Sequence, residues 1–125
     1  MARSTENGIR ENLSLELRRG AIVLAVLAAL RTEQYGYSLK KALTDDGLEI
    51  DEGTLYPLLR RLESQGLLQS RWVLEDGRPR RYYVVNALGS EIAQQLISEW
   101  HALSRVLDGL FKAGGKHGFD RTLRA

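Results

Sequence analysis

Cysteine is absent from the 125 residues, and histidine and proline occur only twice each. Without cysteine there are no disulfides, no thiolate nucleophiles and no thiolate metal sites. His101 and His117 stand far apart and make no i,i+4 pair on a helix face, so neither a metal site nor a cofactor is expected. Long apolar runs are missing as well. The longest, residues 21–30, falls far short of the roughly 20 residues that span a bilayer. It lies behind Arg18 and Arg19 with no small-residue cleavage pattern, which argues against a signal peptide. The expectation is a soluble, cytoplasmic chain with no membrane partner. Charge of one sign is scarce too. The net charge is only +2, so any affinity for nucleic acid must come from where the charges sit. No nucleophile with its base and orienting group stands out, nor any phosphate-cradling glycine loop, so an enzyme is not expected.

The composition is that of an ordinary globular chain, 43% hydrophobic and 27% charged, long enough for one domain plus an appended element. Residues 51–68 are the most informative stretch. Asp51 is suited to cap a helix by accepting orphan backbone N–H groups, and Gly66 supplies the left-handed residue that ends one. Between them Leu55, Leu58, Leu59 and Leu62 recur at helical spacing and make one buried stripe. The other face carries Thr54, Tyr56, Arg60, Arg61 and Gln65, whose hydroxyl, guanidinium and amide groups bond phosphates and base edges. Pro57 lies among them and puts an uncommon bend in the segment meant to enter a groove.

The neighbours of this helix extend the pattern. A shorter helix over residues 37–44 turns Leu39, Ala42 and Leu43 inward and Ser38, Lys40 and Lys41 outward, and Asp45-Asp46-Gly47 then reverses the chain. Asp45, Asp46, Glu49, Asp51 and Glu52 read as carboxylates complementing a helix start rather than as a cation site. Downstream, residues 70–74 and 80–85 are rich in β-branched and aromatic side chains around Asp76-Gly77, a hairpin signal. Arg78-Pro79-Arg80-Arg81 gathers three guanidiniums at its tip, partly offset by Glu75 and Asp76. Each feature alone fits a solvated surface. In this order they read as a winged helix-turn-helix that binds double-stranded DNA.

The expected fold class is mainly α with a small β-hairpin. Residues 1–12 are polar and aperiodic, expected to be flexible or a short extra helix. Residues 13–86 form the winged helix-turn-helix domain, starting with a helix that buries Leu15, Ile22, Val23, Val26, Leu27 and Leu30. Residues 87–112 form one long C-terminal helix, and 113–125 a mobile basic tail. In the long helix Leu96, Trp100, Leu103, Leu107 and Leu110 alternate steps of four and three, a heptad-like seam fit for a homodimer.

Over roughly residues 17–110 the chain resembles the PadR-family transcriptional regulators. The resemblance rests on Tyr35-Gly36-Tyr37-Ser38-Leu39, on Gly53-Thr54-Leu55-Tyr56-Pro57 leading to Leu62-Glu63-Ser64-Gln65-Gly66-Leu67, and on Gly77-Arg78-Pro79-Arg80-Arg81-Tyr82-Tyr83. It implies a homodimeric winged-helix repressor of the short class, whose single C-terminal helix makes much of the dimer interface. Carried over by position, it implies Tyr37, Ser38, Thr54, Tyr56 and the wing arginines Arg78, Arg80 and Arg81 as DNA-facing residues. The residues themselves add Lys40, Pro57, Arg60 and Arg61. Ser98-Glu99-Trp100 is similar to the context of a Trp that, in some short members, flanks a pore between subunits and stacks planar drugs or flavins. Plain interface packing is the other reading of Trp100.

The function these features support is sequence-specific transcriptional regulation by a homodimeric repressor on a pseudo-palindromic operator, released by a planar aromatic effector at the dimer seam. Two alternatives stand beside it. One is a winged-helix module that binds protein, and the other an effector-independent architectural DNA-binding protein.

Overall fold

The computed structural model describes residues 2–116. In chain order the elements are α1 (Ala2–Ala29), β1 (Gln34–Tyr35), α2 (Gly36–Asp45), α3 (Glu52–Ser64), β2 (Leu68–Glu75), β3 (Arg78–Val85) and α4 (Ala87–Lys116). The strands make one antiparallel sheet in the order β1-β3-β2. The chain divides into two units, one ending at Ala93 and the other starting at Gln94, so α4 begins in the first and continues in the second.

The core of the first unit follows the apolar periodicity. Val26, Leu27 and Leu30 from the end of α1 and its exit meet Leu39 and Leu43 of α2 and Leu55, Leu58, Leu59 and Leu62 of α3, all buried. Leu67, Leu68 and Tyr83 close it from the sheet side. At about 1.5–3 kcal/mol for each fully buried leucine, this cluster is what holds α3 in place. The sheet is a wing. Asp76 and Gly77 have φ of 50° and 73°, the paired left-handed residues of a type I′ hairpin turn. Pro79 stands inside β3 opposite Leu74. It is tolerated because β1 reaches only Tyr82 and Tyr83, leaving β3 with a single neighbour at that point.

The joint between wing and last helix is tightly built. The Asn86 backbone N–H donates to the Leu67 carbonyl at 3.1 Å. Its side chain donates to the Gly66 carbonyl at 2.7 Å and accepts from the Gly89 N–H at 2.8 Å. A Cβ on Gly89 would lie 2.1 Å from the Leu67 oxygen, so only glycine lets the helix start this close. The root of α4 is therefore fastened to the exit of α3.

Four details differ from the sequence expectation. Residues 2–12 are neither a flexible segment nor a separate helix but the first turns of α1, which contains no proline to stop it. Gly8 and Gly20 do not break it; each costs about 1 kcal/mol relative to alanine, too little to interrupt a long helix. The two-residue β1 adds a third strand to the expected hairpin and is too short to show a period in the sequence. Both hairpin strands are longer than expected. Finally, residues 113–116 continue α4 instead of opening a tail, and the rest of the expected tail lies outside the described residues. No described helix is long and apolar enough to cross a membrane. Among the described residues no three His, Cys, Asp or Glu lie close enough together to hold a metal ion.

Candidate nucleic-acid interface

Asp51 opens α3 as expected. It is extended, with φ −84° and ψ 163°, and its Oδ1 accepts from the Thr54 N–H at 2.7 Å. Gly66, with φ 82°, follows the last turn. With about 100° between successive residues, the buried leucines put Gly53, Pro57, Arg60 and Ser64 around the outward pole of α3. Tyr56 falls on the flank toward the wing, and Thr54 and Arg61 on the opposite flank. Thr54, Pro57, Arg60 and Arg61 are exposed and Tyr56 is half-buried. Pro57 supplies no N–H, so the Gly53 carbonyl lacks its helical partner.

Tyr56 is held by a glycine. A Cβ at Gly36 would come within 2.4 Å of the Tyr56 ring, so the first residue of α2 must lack a side chain for the two helices to meet. Burial, followed by the nearby charge of Glu52 and by Tyr83, raises the Tyr56 pKa above the ordinary tyrosine value, keeping it a neutral hydroxyl. On α2 itself Tyr37 is exposed and Lys40 half-buried. The Ser38 hydroxyl donates to the Tyr35 carbonyl at 2.9 Å, which commits its proton to the protein. No side chain caps the start of α2, so its first-turn N–H groups remain open.

The three wing arginines have different surroundings. Arg78 is exposed at the tip, with no ion pair among the described residues. Arg80 lies over the Tyr35 ring at 4.6 Å, with its Nη1 3.6 Å from Glu75. Glu75 also accepts the Tyr82 hydroxyl, the main reason the Tyr82 pKa is raised. Arg81 departs from the expectation that all three face DNA. Its guanidinium donates to Glu63 of α3 at 3.0 Å and to the Ser70 hydroxyl at 3.0 Å, and Ser70 itself donates to Glu63. Arg81 thus straps the wing to α3 and is less free than its neighbours to meet a phosphate.

These side chains converge. Tyr37, Tyr56, Arg60, Arg80 and Arg81 line one hollow of about 360 Å³, with Tyr35 and Trp72 beside them. Thr54, Pro57 and Arg61 line a separate groove with α1. Ser38, Lys40 and Arg78 belong to neither. Trp72, 64% exposed, joins the site from outside the residues the sequence points to; its signal in the sequence is strand alternation, which puts it opposite Arg81 on the same sheet face. The Glu63–Ser70–Arg81 strap is invisible there, since nothing local ties those positions together.

A family model for the PadR-like transcriptional regulators matches residues 23–95. The chain belongs to the PadR-like family. It is similar to a PadR family transcriptional regulator from Eggerthella lenta, with 42% identity and a TM-score of 0.78 over 86% of this chain and 96% of that one. A PadR-like transcriptional regulator from Bacillus cereus is 26% identical with a TM-score of 0.70, over 77% of this chain and 96% of its own. The transcriptional regulator Rv3488 of Mycobacterium tuberculosis is 41% identical over 75 residues, 59% of this chain and 70% of that protein. In PadR-like terms α2 and α3 are the helix-turn-helix, β2 and β3 the wing, and α4 the long C-terminal helix.

Proposed function

We propose that this PadR-like regulator is a homodimeric repressor that reads a pseudo-palindromic DNA site and is released by a planar aromatic effector at the dimer seam. The observation that carries the reading is the alignment of three DNA-suited features on one unit: the outward pole of α3, the open N-terminus of α2 and the arginine wing.

In this reading Pro57 and Arg60 enter the major groove, where the Arg60 guanidinium can pair with two acceptors of a guanine edge. Thr54, Tyr56 and Arg61 line the groove walls. Tyr37 and Lys40 meet phosphate at the start of α2, where the uncapped N–H groups and the helix dipole favour an anion, and Ser38 gives its backbone N–H there while its hydroxyl stays on the Tyr35 carbonyl. Arg78 and Arg80 reach the flanking minor groove or backbone, and Arg81 keeps the wing in register.

The dimer is supported by α4. Trp100, Leu103, Leu107 and Leu110 are 44%, 52%, 43% and 62% exposed, with Leu96 half-buried before them, and Val106 and Phe111 extend the apolar run. Pairing these faces would present two α3 helices roughly 34 Å apart, one turn of DNA. Trp100, Leu103 and Leu107 border a shallow hollow of about 280 Å³ on α4. A planar ligand stacked there that favours one subunit arrangement would change helix spacing and weaken the DNA complex.

The test is fluorescence anisotropy on DNA from upstream of the protein's own gene, beside a scrambled fragment, at two salt concentrations. Tight, salt-sensitive binding that prefers the native fragment is expected. Equal binding to both would favour the architectural reading, and none to either the protein-binding one. Unchanged Trp emission and DNA affinity across a panel of planar aromatic compounds would remove the effector from the proposal.

A further inference from the structure

The flank of α3 that faces away from the wing borders a groove of about 400 Å³. One wall is α1, whose Leu15, Arg19, Ile22 and Val23 form a single stripe at steps of four, three and one. The other wall is the start of α3, from Gly53 and Thr54 to Arg61. The groove is open because that wall is thin. Gly53 has no side chain, Pro57 has a compact ring, and a Cβ added at Gly53 would meet only Asp51 Oδ1, at 3.6 Å.

Its chemistry is divided. Leu15, Ile22, Val23, Pro57 and Leu58 are aliphatic, and no aromatic ring lines the groove. Among the described residues Arg19 and Arg61 are its only charged groups, and no carboxylate lines it. Among the described residues neither guanidinium has a side-chain partner, whereas neighbouring Arg18 donates to the Glu49 carbonyl at 3.0 Å. Two unpaired cations over an aliphatic floor fit an occupant with an anionic head and a saturated tail. A planar aromatic ligand finds nothing here to stack on. The volume lies at the lower end of the range for small-molecule sites.

We propose that this groove binds a free medium-chain aliphatic monocarboxylate, its head between Arg19 and Arg61 and its tail along Leu15, Ile22, Val23 and Leu58. A bound carboxylate would occupy Arg61 and crowd Thr54, so it competes with DNA directly. That competition rests on the DNA-binding reading above, while occupancy of the groove does not. The site shares no lining residue with the Trp100 hollow and differs from it in ligand class.

Calorimetric titration of the full chain with sodium hexanoate, octanoate and decanoate below their micellar range, without DNA, tests occupancy. Affinity is expected to rise two- to fourfold per methylene, fourfold being the full transfer value. Octan-1-ol, which lacks the charge, should bind at least tenfold more weakly than octanoate. Arg19→Gln should weaken decanoate at least tenfold while leaving the circular dichroism spectrum and the decanoate-free DNA affinity unchanged. Val23→Phe should fill the groove and abolish the heat. In anisotropy, the apparent DNA dissociation constant should rise linearly with decanoate for wild type and remain flat for Arg19→Gln.

No heat with decanoate, equal heat in Arg19→Gln, or tighter binding of an aromatic carboxylate than of decanoate would overturn the proposal. So would heat seen only after the α4 face is disrupted, because a second copy would then be the occupant. Loss of DNA binding before any decanoate is added would instead count against the DNA reading and leave the calorimetry to judge the groove.

Discussion

Arg78, Arg80 and Arg81 are close neighbours in the chain, yet they differ in what each touches. Arg81 is tied to Glu63 of α3 and Ser70 of β2, Arg80 rests on a tyrosine ring, and Arg78 has no ion pair among the described residues. The same residue type therefore predicts opposite outcomes at different positions. Arg60→Ala should weaken DNA binding by about 1–3 kcal/mol and lower the salt slope by about one unit, with the urea midpoint unchanged. Arg81→Ala should mainly move the urea midpoint. Its side chain is 37% exposed and that of Glu63 28%, so solvent screening limits the loss to about 1 kcal/mol or less. Parallel urea unfolding and anisotropy separate the two. Residue types suited to DNA were legible in the sequence, but which guanidiniums the protein keeps for itself was not. Glu63 and Ser70 meet Arg81 only after β3 folds back along β2, and no local spacing encodes that meeting.

Elements with strong local signals could be read directly. Asp51, Gly66 and the leucine stripe marked α3, and Asp76-Gly77 marked the hairpin, because caps and turns depend on residues within a few positions. β1 could not be read, since two residues show no alternation and Gln34 and Tyr35 become a strand only by pairing with Tyr83 and Tyr82. The start of α1 was missed for a related reason. Its polar turns show no apolar period and continue a helix that Val26, Leu27 and Leu30 anchor far along the chain. For α4 the periodicity was legible and the partner was not. Leu103→Arg combined with Leu107→Arg should shift the protein to monomer by analytical ultracentrifugation and weaken operator binding at least tenfold. Its thermal midpoint, extrapolated to low concentration, should match that of wild type, because both leucines are exposed in the single chain.

For the whole molecule, the tyrosines set a limit on the alkaline side. Burial raises the Tyr83 pKa above the ordinary tyrosine value, with Arg81 partly opposing it, and Tyr56 and Tyr82 are raised as well. The unfolded chain therefore loses these protons first. Stability is fully present below about pH 10, the unfolded value, and falls as pH rises from there through the raised folded values. Urea midpoints measured from pH 8 to 11 should be level and then decline, and Tyr83→Phe should flatten the decline. A midpoint that stays level to pH 11 in wild type would refute this. The division at Ala93 has a different consequence, one for genetics. On the proposed dimer, an allele that spoils Arg60 would leave the α4 face able to pair, and its product would draw normal chains into dimers with one working half. Such an allele would be dominant in a partial diploid, while a nonsense allele ending before α4 would be recessive, and the smaller lesion would have the larger phenotype.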